Sequence, residues 1–181
     1  MAKLTQGDKL PEFTYDTPFA AALSISDTAK KVTGKTALVF LRYYGCTLCQ
    51  YDLHEFATQH EKIVAAGGQM LVVLQSDPAK LAEQLQPGDF PFDIICDPEQ
   101  KLYKKFEIAA AASKATMVDS RAVAKIAKAA ASGFKHGEYE GEELQLPAAF
   151  VVEPDLILTY VRYGESVGDV PTPEELCALL K

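Results

Sequence analysis

No run of apolar residues in this 181-residue chain approaches the ~20 needed to span a bilayer, so no membrane partner is expected. The N-terminus, Met1-Ala2-Lys3-Leu4-Thr5-Gln6-Gly7-Asp8, lacks the apolar core of an export signal, and the expected location is the cytoplasm. Positive charge is scarce. Eighteen Lys and Arg against 25 Asp and Glu give a net charge of −7, and no basic stripe offers a face to nucleic acid. No internal period points to a repeat array or a coiled coil. The dinucleotide fingerprint G-x-G-x-x-G is missing, and no cofactor is expected. What is present excludes disorder: 48% hydrophobic and 9% aromatic residues suffice for a core, in one domain spanning 1–181.

Cysteine is the informative residue. There are four, Cys46, Cys49, Cys96 and Cys177, and a chain of this size without an export signal needs no structural disulfides. Cys46 and Cys49 form a C-x-x-C, which in the cytosol reads as a redox pair, half a zinc site or two unrelated core thiols. Tetrahedral zinc draws four ligands, usually from two such pairs, and no second pair exists here, so no metal is expected.

The surroundings favour the redox reading. Ala37-Leu38-Val39-Phe40-Leu41 reads as a buried strand, and the cysteines follow at once. Tyr51 to Ala57 opens a helix whose apolar stripe is Leu53, Phe56, Ala57, His60 and Val64, ending at Gly67-Gly68. Met70 to Leu74 is the next strand, and Asp77-Pro78 starts the next helix. Phe92 to Cys96 is a third strand, followed by Asp97-Pro98-Glu99-Gln100 as a capping box for a helix reaching Phe106. Val123, Ile126, Ala127, Ala130 and Phe134 mark an amphipathic helix, and 133–147 reads as a loop. Ala149 to Val152 and Ile157 to Val161 form a hairpin around Glu153-Pro154-Asp155, and the last helix runs from Glu174 to Leu180. The order βαβαβα, helix, ββα predicts an α/β fold with a central mixed sheet flanked by helices, with 109–146 as an insertion before the C-terminal ββα. That insertion is long enough for a lid or interface, and equally suits a decorative helix and loop.

A C-x-x-C between a strand end and a helix start is chemically apt. Free backbone N–H groups and the positive helix dipole favour thiolate there, and the thiolate is the nucleophile. Cysteines three apart at a helix start can close a small disulfide ring, one attacking and the other resolving. Strand, C-x-x-C, amphipathic helix and a final ββα together indicate a thioredoxin-like fold.

Three stretches carry a resemblance: Leu38 to Cys49, Cys96 to Lys104, and 133–150 with Gly168-Asp169-Val170-Pro171. On them the chain resembles the peroxiredoxin/thioredoxin superfamily of AhpC/TSA type, and more narrowly the peroxiredoxin-like branch that includes prostamide/prostaglandin F synthases. The resemblance implies a thiol-dependent oxidoreductase that reduces peroxides through Cys46 and Cys49. Its electron donor would be a thioredoxin-like protein or a small thiol, and homodimers are implied as well. The peroxiredoxin motif P-x-x-x-T-x-x-C places Arg42 at the proline, Cys46 at the threonine and Cys49 at the peroxidatic cysteine. An arginine usual before the strand at Ala149 is Pro147 here, resembling the cis-proline that faces the C-x-x-C in thioredoxins. Both departures suit disulfide exchange, so a protein disulfide reductase and a non-catalytic redox sensor stand as alternatives. Peroxiredoxin register makes Cys49 the attacking residue, whereas thioredoxin logic makes it Cys46; both readings stay open.

Arg42, Thr47 and Pro147 are the supporting candidates, Arg42 because its permanent charge can stabilise a thiolate. Asp52, early in the helix, suits the helix dipole better than a thiol proton. Cys96 and Cys177 read as core thiols, His60 as a core histidine, and His54, His136 and Arg162 as surface residues.

Overall fold

The computed structural model describes residues 3–181; Met1 and Ala2, counted in the single-domain expectation, lie outside the described residues. A two-stranded hairpin, β1 (Thr14–Tyr15) and β2 (Leu23–Ser24), leads into α1 (Ile25–Ala29). These pieces are too short for a period to betray them, and sequence reasoning passed over all three. The main body then runs β3 (Thr36–Phe40), α2 (Thr47–Thr58), α3 (His60–Ala65), β4 (Gln69–Leu74), α4 (Pro78–Gln84), β5 (Asp93–Cys96) and α5 (Lys101–Lys105). The insertion carries α6 (Ser120–Ala131), and β6 (Ala148–Val152), β7 (Leu158–Tyr163) and α7 (Pro173–Leu180) complete the chain.

The sheet order is β5-β4-β3-β6-β7. β3, β4 and β5 run parallel, as their helical crossovers require, and β6 is antiparallel to both β3 and β7. This is the mixed sheet of a thioredoxin-like α/β fold. Alternation along β3 divides the core into two. Ala37 and Val39 face a layer with Leu53, Phe56, Ile63 and Leu176, from α2, α3 and α7. Leu38 and Phe40 face the other layer, where Phe40 packs edge-on against Tyr103 and Phe106 near α5. The strand carrying the C-x-x-C is therefore buried on both sides, and the motif emerges from the most constrained part of the molecule.

Four expectations need correction. The helix after the C-x-x-C begins at Thr47 rather than Tyr51, so both cysteines belong to its first turn and cap. It breaks at Gln59 (φ −107°, ψ 12°), and the break changes the phase of the stripe. Ile63 is consequently buried, while the predicted stripe residue Val64 is half exposed. The helix after β5 is not opened by a capping box: Gln100 sits in the left-handed region, and the Asp97 carboxylate alone accepts from Lys101 and Leu102 N–H, at 2.8 and 2.7 Å. Finally, α6 buries a face turned by roughly a quarter turn from its apolar stripe. Ala122 and Ala129 are fully buried, whereas Val123 and Ile126 are 58% and 44% exposed. Small side chains let α6 pack closely on α2, and the larger aliphatics are left facing out.

Candidate active site

The chain leaves β3 at Phe40 and turns through Arg42, Tyr43, Tyr44 and Gly45 into α2. Two neighbouring bonds hold this exit: Leu41 N–H donates to Val73 O (3.0 Å), and Arg42 O accepts from Gln75 N–H (2.7 Å). Cys46 is the N-cap of α2, and its sulfur accepts the Cys49 backbone N–H at 3.4 Å. Caps of this kind are usually Ser, Thr, Asp or Asn, and a thiolate fills the same role with a full charge. Arg42 donates from Nη2 to the Cys46 sulfur at 2.9 Å. The Cys49 thiol also donates to that sulfur, and with the Arg42 charge it outweighs burial, pulling Cys46 down to about 6. Cys49 goes the other way, because burial and the neighbouring Cys46 sulfur push its thiol up. The two cysteines are thus differentiated into a thiolate and a protonated thiol, both free and both buried. Burial opposes the charge on Arg42 as well, but the two sulfurs more than offset it and the guanidinium stays protonated.

The insertion folds over this pair. Gly137 N–H donates to Gly45 O at 2.7 Å, and Gly45 N–H donates to the Glu140 carboxylate at 3.0 Å. Arg42 Nη1 donates to Glu143 O at 2.6 Å, so one guanidinium bridges the thiolate and the covering loop. The Tyr43 hydroxyl donates to the Glu143 carboxylate and lies 3.1 Å from His136 Nε2. Burial and that carboxylate keep the hydroxyl protonated. Gly45 has to be glycine: a Cβ there would stand 2.1 Å from Glu138 O. The segment 133–147 is therefore a lid. Beneath it, Gln145 is buried, its Oε1 accepting from Gln75 Nε2 (3.2 Å) and its Nε2 donating to Ile108 O (3.1 Å).

A cavity of about 10 Å³, room for about one water molecule, remains beside the sulfurs. Arg42, Cys46, Cys49, Asp52, Gln145 and Pro147 are among its walls. The three supporting candidates have defined places. Arg42 touches the thiolate, Pro147 lines the cavity, and Thr47 opens α2 without reaching the cavity wall. The bond before Pro147 is trans, since no peptide among the described residues is cis, and the thioredoxin-like cis-proline is not reproduced.

Asp52 has a partner that the sequence did not show. It lies one turn past Cys49 on the same helix face, and its buried carboxylate pairs with Lys125 of α6 at 2.7 Å. Burial pushes the carboxyl up to about 6 against the pull of Lys125. The i,i+3 spacing from Cys49 was the available signal, whereas Lys125 lies 73 residues away and gave none. Tyr43, Glu140, Glu143 and Gln145 were likewise passed over, because their contacts join segments far apart in the sequence. Cys96 caps the far strand outside this cavity, and burial together with Asp77 and Asp16 pushes its thiol up to about 12. Cys177 is half buried on α7. His60 packs against Phe92, His54 against Phe134, and Arg162 pairs with Asp169. No helix among the described residues is long and apolar enough to cross a membrane.

The model of the AhpC/TSA family matches residues 6–161. Comparison with curated proteins finds no match. Among solved structures, the peroxidoxin BcpB from Mycobacterium tuberculosis aligns with a TM-score of 0.68 at 14% identity, covering 97% of this chain and 95% of its own. A cysteine-to-serine mutant of peroxiredoxin 6 from Arenicola marina gives 0.68 and 14%, with 98% and 72% covered. A peroxiredoxin-like protein from Aquifex aeolicus gives 0.65 and 11%, with 99% and 88% covered.

Proposed function

The chain belongs to the AhpC/TSA family, and from that premise we propose that it is a thiol-dependent oxidoreductase that reduces peroxides, with Cys46 as nucleophile and Cys49 as resolving thiol. The observation that carries this reading is the Arg42 guanidinium on the Cys46 sulfur, at the helix N-cap. It keeps the thiolate populated at neutral pH, and its charge is placed to polarise the O–O bond of a peroxide brought to the sulfur. The Cys46 thiolate attacks one peroxide oxygen and the O–O bond breaks. Cys46 becomes a sulfenic acid, and the other oxygen leaves as water or alcohol once protonated. Cys49 then displaces the sulfenic oxygen as water and forms the Cys46–Cys49 disulfide. An external thiol or dithiol, thioredoxin-like or of low molecular weight, reduces it.

Peroxide entry requires the lid to move, since the cavity holds about one water and both sulfurs lie beneath the loop. A lipid endoperoxide, the substrate implied by the prostaglandin F synthase branch, demands a far larger opening. Disulfide exchange is a second reading. It is favoured because the thiolate is Cys46, the first cysteine of the C-x-x-C, rather than Cys49, which the peroxiredoxin motif designates.

Stopped-flow oxidation by hydrogen peroxide tests the assignment. Wild type should react orders of magnitude faster than a free thiol. Cys46→Ser should be inert, and Cys49→Ser should stop at a sulfenic acid visible by intact mass. Wild type reacting no faster than a free thiol removes peroxide as the substrate. Insulin reduction by that same protein then moves the function to disulfide exchange.

A further inference from the structure

The Cys49 thiol is buried beneath the lid, yet its proton must leave each time the disulfide forms and return each time it opens. Asp52 is placed to serve that traffic. Asp52 lines the small cavity shared by Cys46 and Cys49, and it also lines an outer cleft of about 380 Å³ between α2, α6 and the start of α7. Val170 is the other residue common to both, and it is apolar. Among the described residues, Asp52 is thus the one titratable group bridging the dithiol and the cleft. The cavity's volume matches one water, enough to relay a proton between the Cys49 sulfur and the carboxylate.

We propose that Asp52 is the proton acceptor for Cys49 during disulfide closure and its proton donor during reduction, with Lys125 of the insertion holding the carboxylate in place. This rests on the dithiol cycle proposed above. In closure, the Cys49 sulfur gives its proton to Asp52 and attacks the Cys46 sulfur. The S–S bond forms, the S–O bond of the sulfenic acid breaks, and the oxygen leaves as water with the proton returned from Asp52. In reduction, an external thiolate attacks the Cys46 sulfur and breaks the S–S bond, and Asp52 protonates the departing Cys49 thiolate. The groups facing Asp52 are Lys125 from α6, Glu55 from its own helix, and Arg42, Cys46 and Cys49 across the cavity. In the outer cleft, Arg121 and Lys128 stand opposite Glu174 and Glu175. Lys125 makes the direct contact, at 2.7 Å, so the insertion helix governs the carboxylate from outside the dithiol.

The test uses diamide, which adds to the Cys46 thiolate and is displaced by Cys49, so closure is followed without peroxide. Reactions are quenched at intervals between about pH 5 and pH 8 and read by intact mass. Wild-type closure should show a midpoint near the Asp52 carboxyl, about 6. In Asp52→Asn, adduct formation should stay within about threefold of wild type, while closure slows at least about tenfold at neutral pH and loses that midpoint. Lys125→Met keeps the carboxylate and should move the midpoint up by about one unit, which serves if the Asn variant does not fold. Closure in Asp52→Asn within about twofold of wild type overturns the proposal, as does an unmoved midpoint in Lys125→Met. A wild type inert to peroxide that still shows the Asp52→Asn contrast with diamide supports it and removes only the peroxide reading. A wild type that forms no Cys46–Cys49 disulfide with either oxidant overturns both.

Discussion

Replacing Arg42 by Met should separate the guanidinium's electrostatic work from its hold on the lid. In the native site Arg42 donates to the Cys46 sulfur at 2.9 Å and to Glu143 O at 2.6 Å. The Cys49 thiol is the largest influence lowering Cys46, and Arg42 supplies most of the rest. An opposite charge at this range holds a pKa down by about 1–2 units, so Cys46 should rise from about 6 to roughly 7–8. At about pH 5.5 the thiolate fraction falls from about one quarter to between roughly 3% and 0.3%. A more basic thiolate is intrinsically about three- to eightfold more nucleophilic, with a Brønsted slope of about 0.4–0.5. The variant should therefore be alkylated by iodoacetamide about three- to tenfold more slowly near pH 5.5 and about three- to eightfold faster near pH 9, and the two profiles cross. Loosening of the lid multiplies the rate equally at every pH and leaves the midpoint alone. Glu143→Gln, which removes the latch on Tyr43 but not the guanidinium, supplies that control. An Arg42→Met profile with the wild-type midpoint would refute the assignment of the charge to Cys46.

Three further outcomes follow from the same geometry. Cys46 has its folded pKa below its unfolded value, so its stabilisation is complete above the unfolded value and is lost as pH falls through about 6. In urea melts of reduced protein, wild type should exceed Cys46→Ser by roughly 3 kcal/mol more near pH 8 than near pH 5, and a gap independent of pH contradicts the thiolate assignment. Asp52, raised by burial, acts with the opposite sign in both proteins, and because the Cys46 charge also raises it, Cys46→Ser narrows the difference without reversing it. Gly45→Ala forces a Cβ to 2.1 Å from Glu138 O, so the lid should lift, with limited proteolysis inside 134–144 accelerated about tenfold; an unchanged cleavage rate argues against a lid held there. Phe40→Ala should cost about 3–5 kcal/mol in chemical denaturation, since Phe40 is fully buried against Tyr103, Phe106 and Phe150. A cost under about 1 kcal/mol would mean that this layer collapses around the gap.

What the sequence disclosed follows from how local each feature is. The sheet was legible because each central strand is a short apolar run bounded by turn or cap residues, and both sides of β3 are buried. The dithiol and Arg42 were legible because they are close in the chain, Arg42 standing four residues before Cys46 and seven before Cys49. The Asp52–Lys125 pair was not, because what sets Asp52 apart is burial and an ion pair with a residue 73 positions downstream. The rotated docking of α6 has the same origin. Periodicity reports that a helix has two faces, but the face that docks depends on the partner, and α2 accepts Ala122 and Ala129 at close range. Docking by that face is also what brings Lys125, between them, down onto the Asp52 carboxylate. Had the aliphatic stripe of Val123 and Ile126 packed inward, Lys125 would have been carried away from α2, and Asp52 would be a buried charge without a cation. The two exposed aliphatic residues are thus the counterpart of a docking that places an ion pair at the edge of the dithiol.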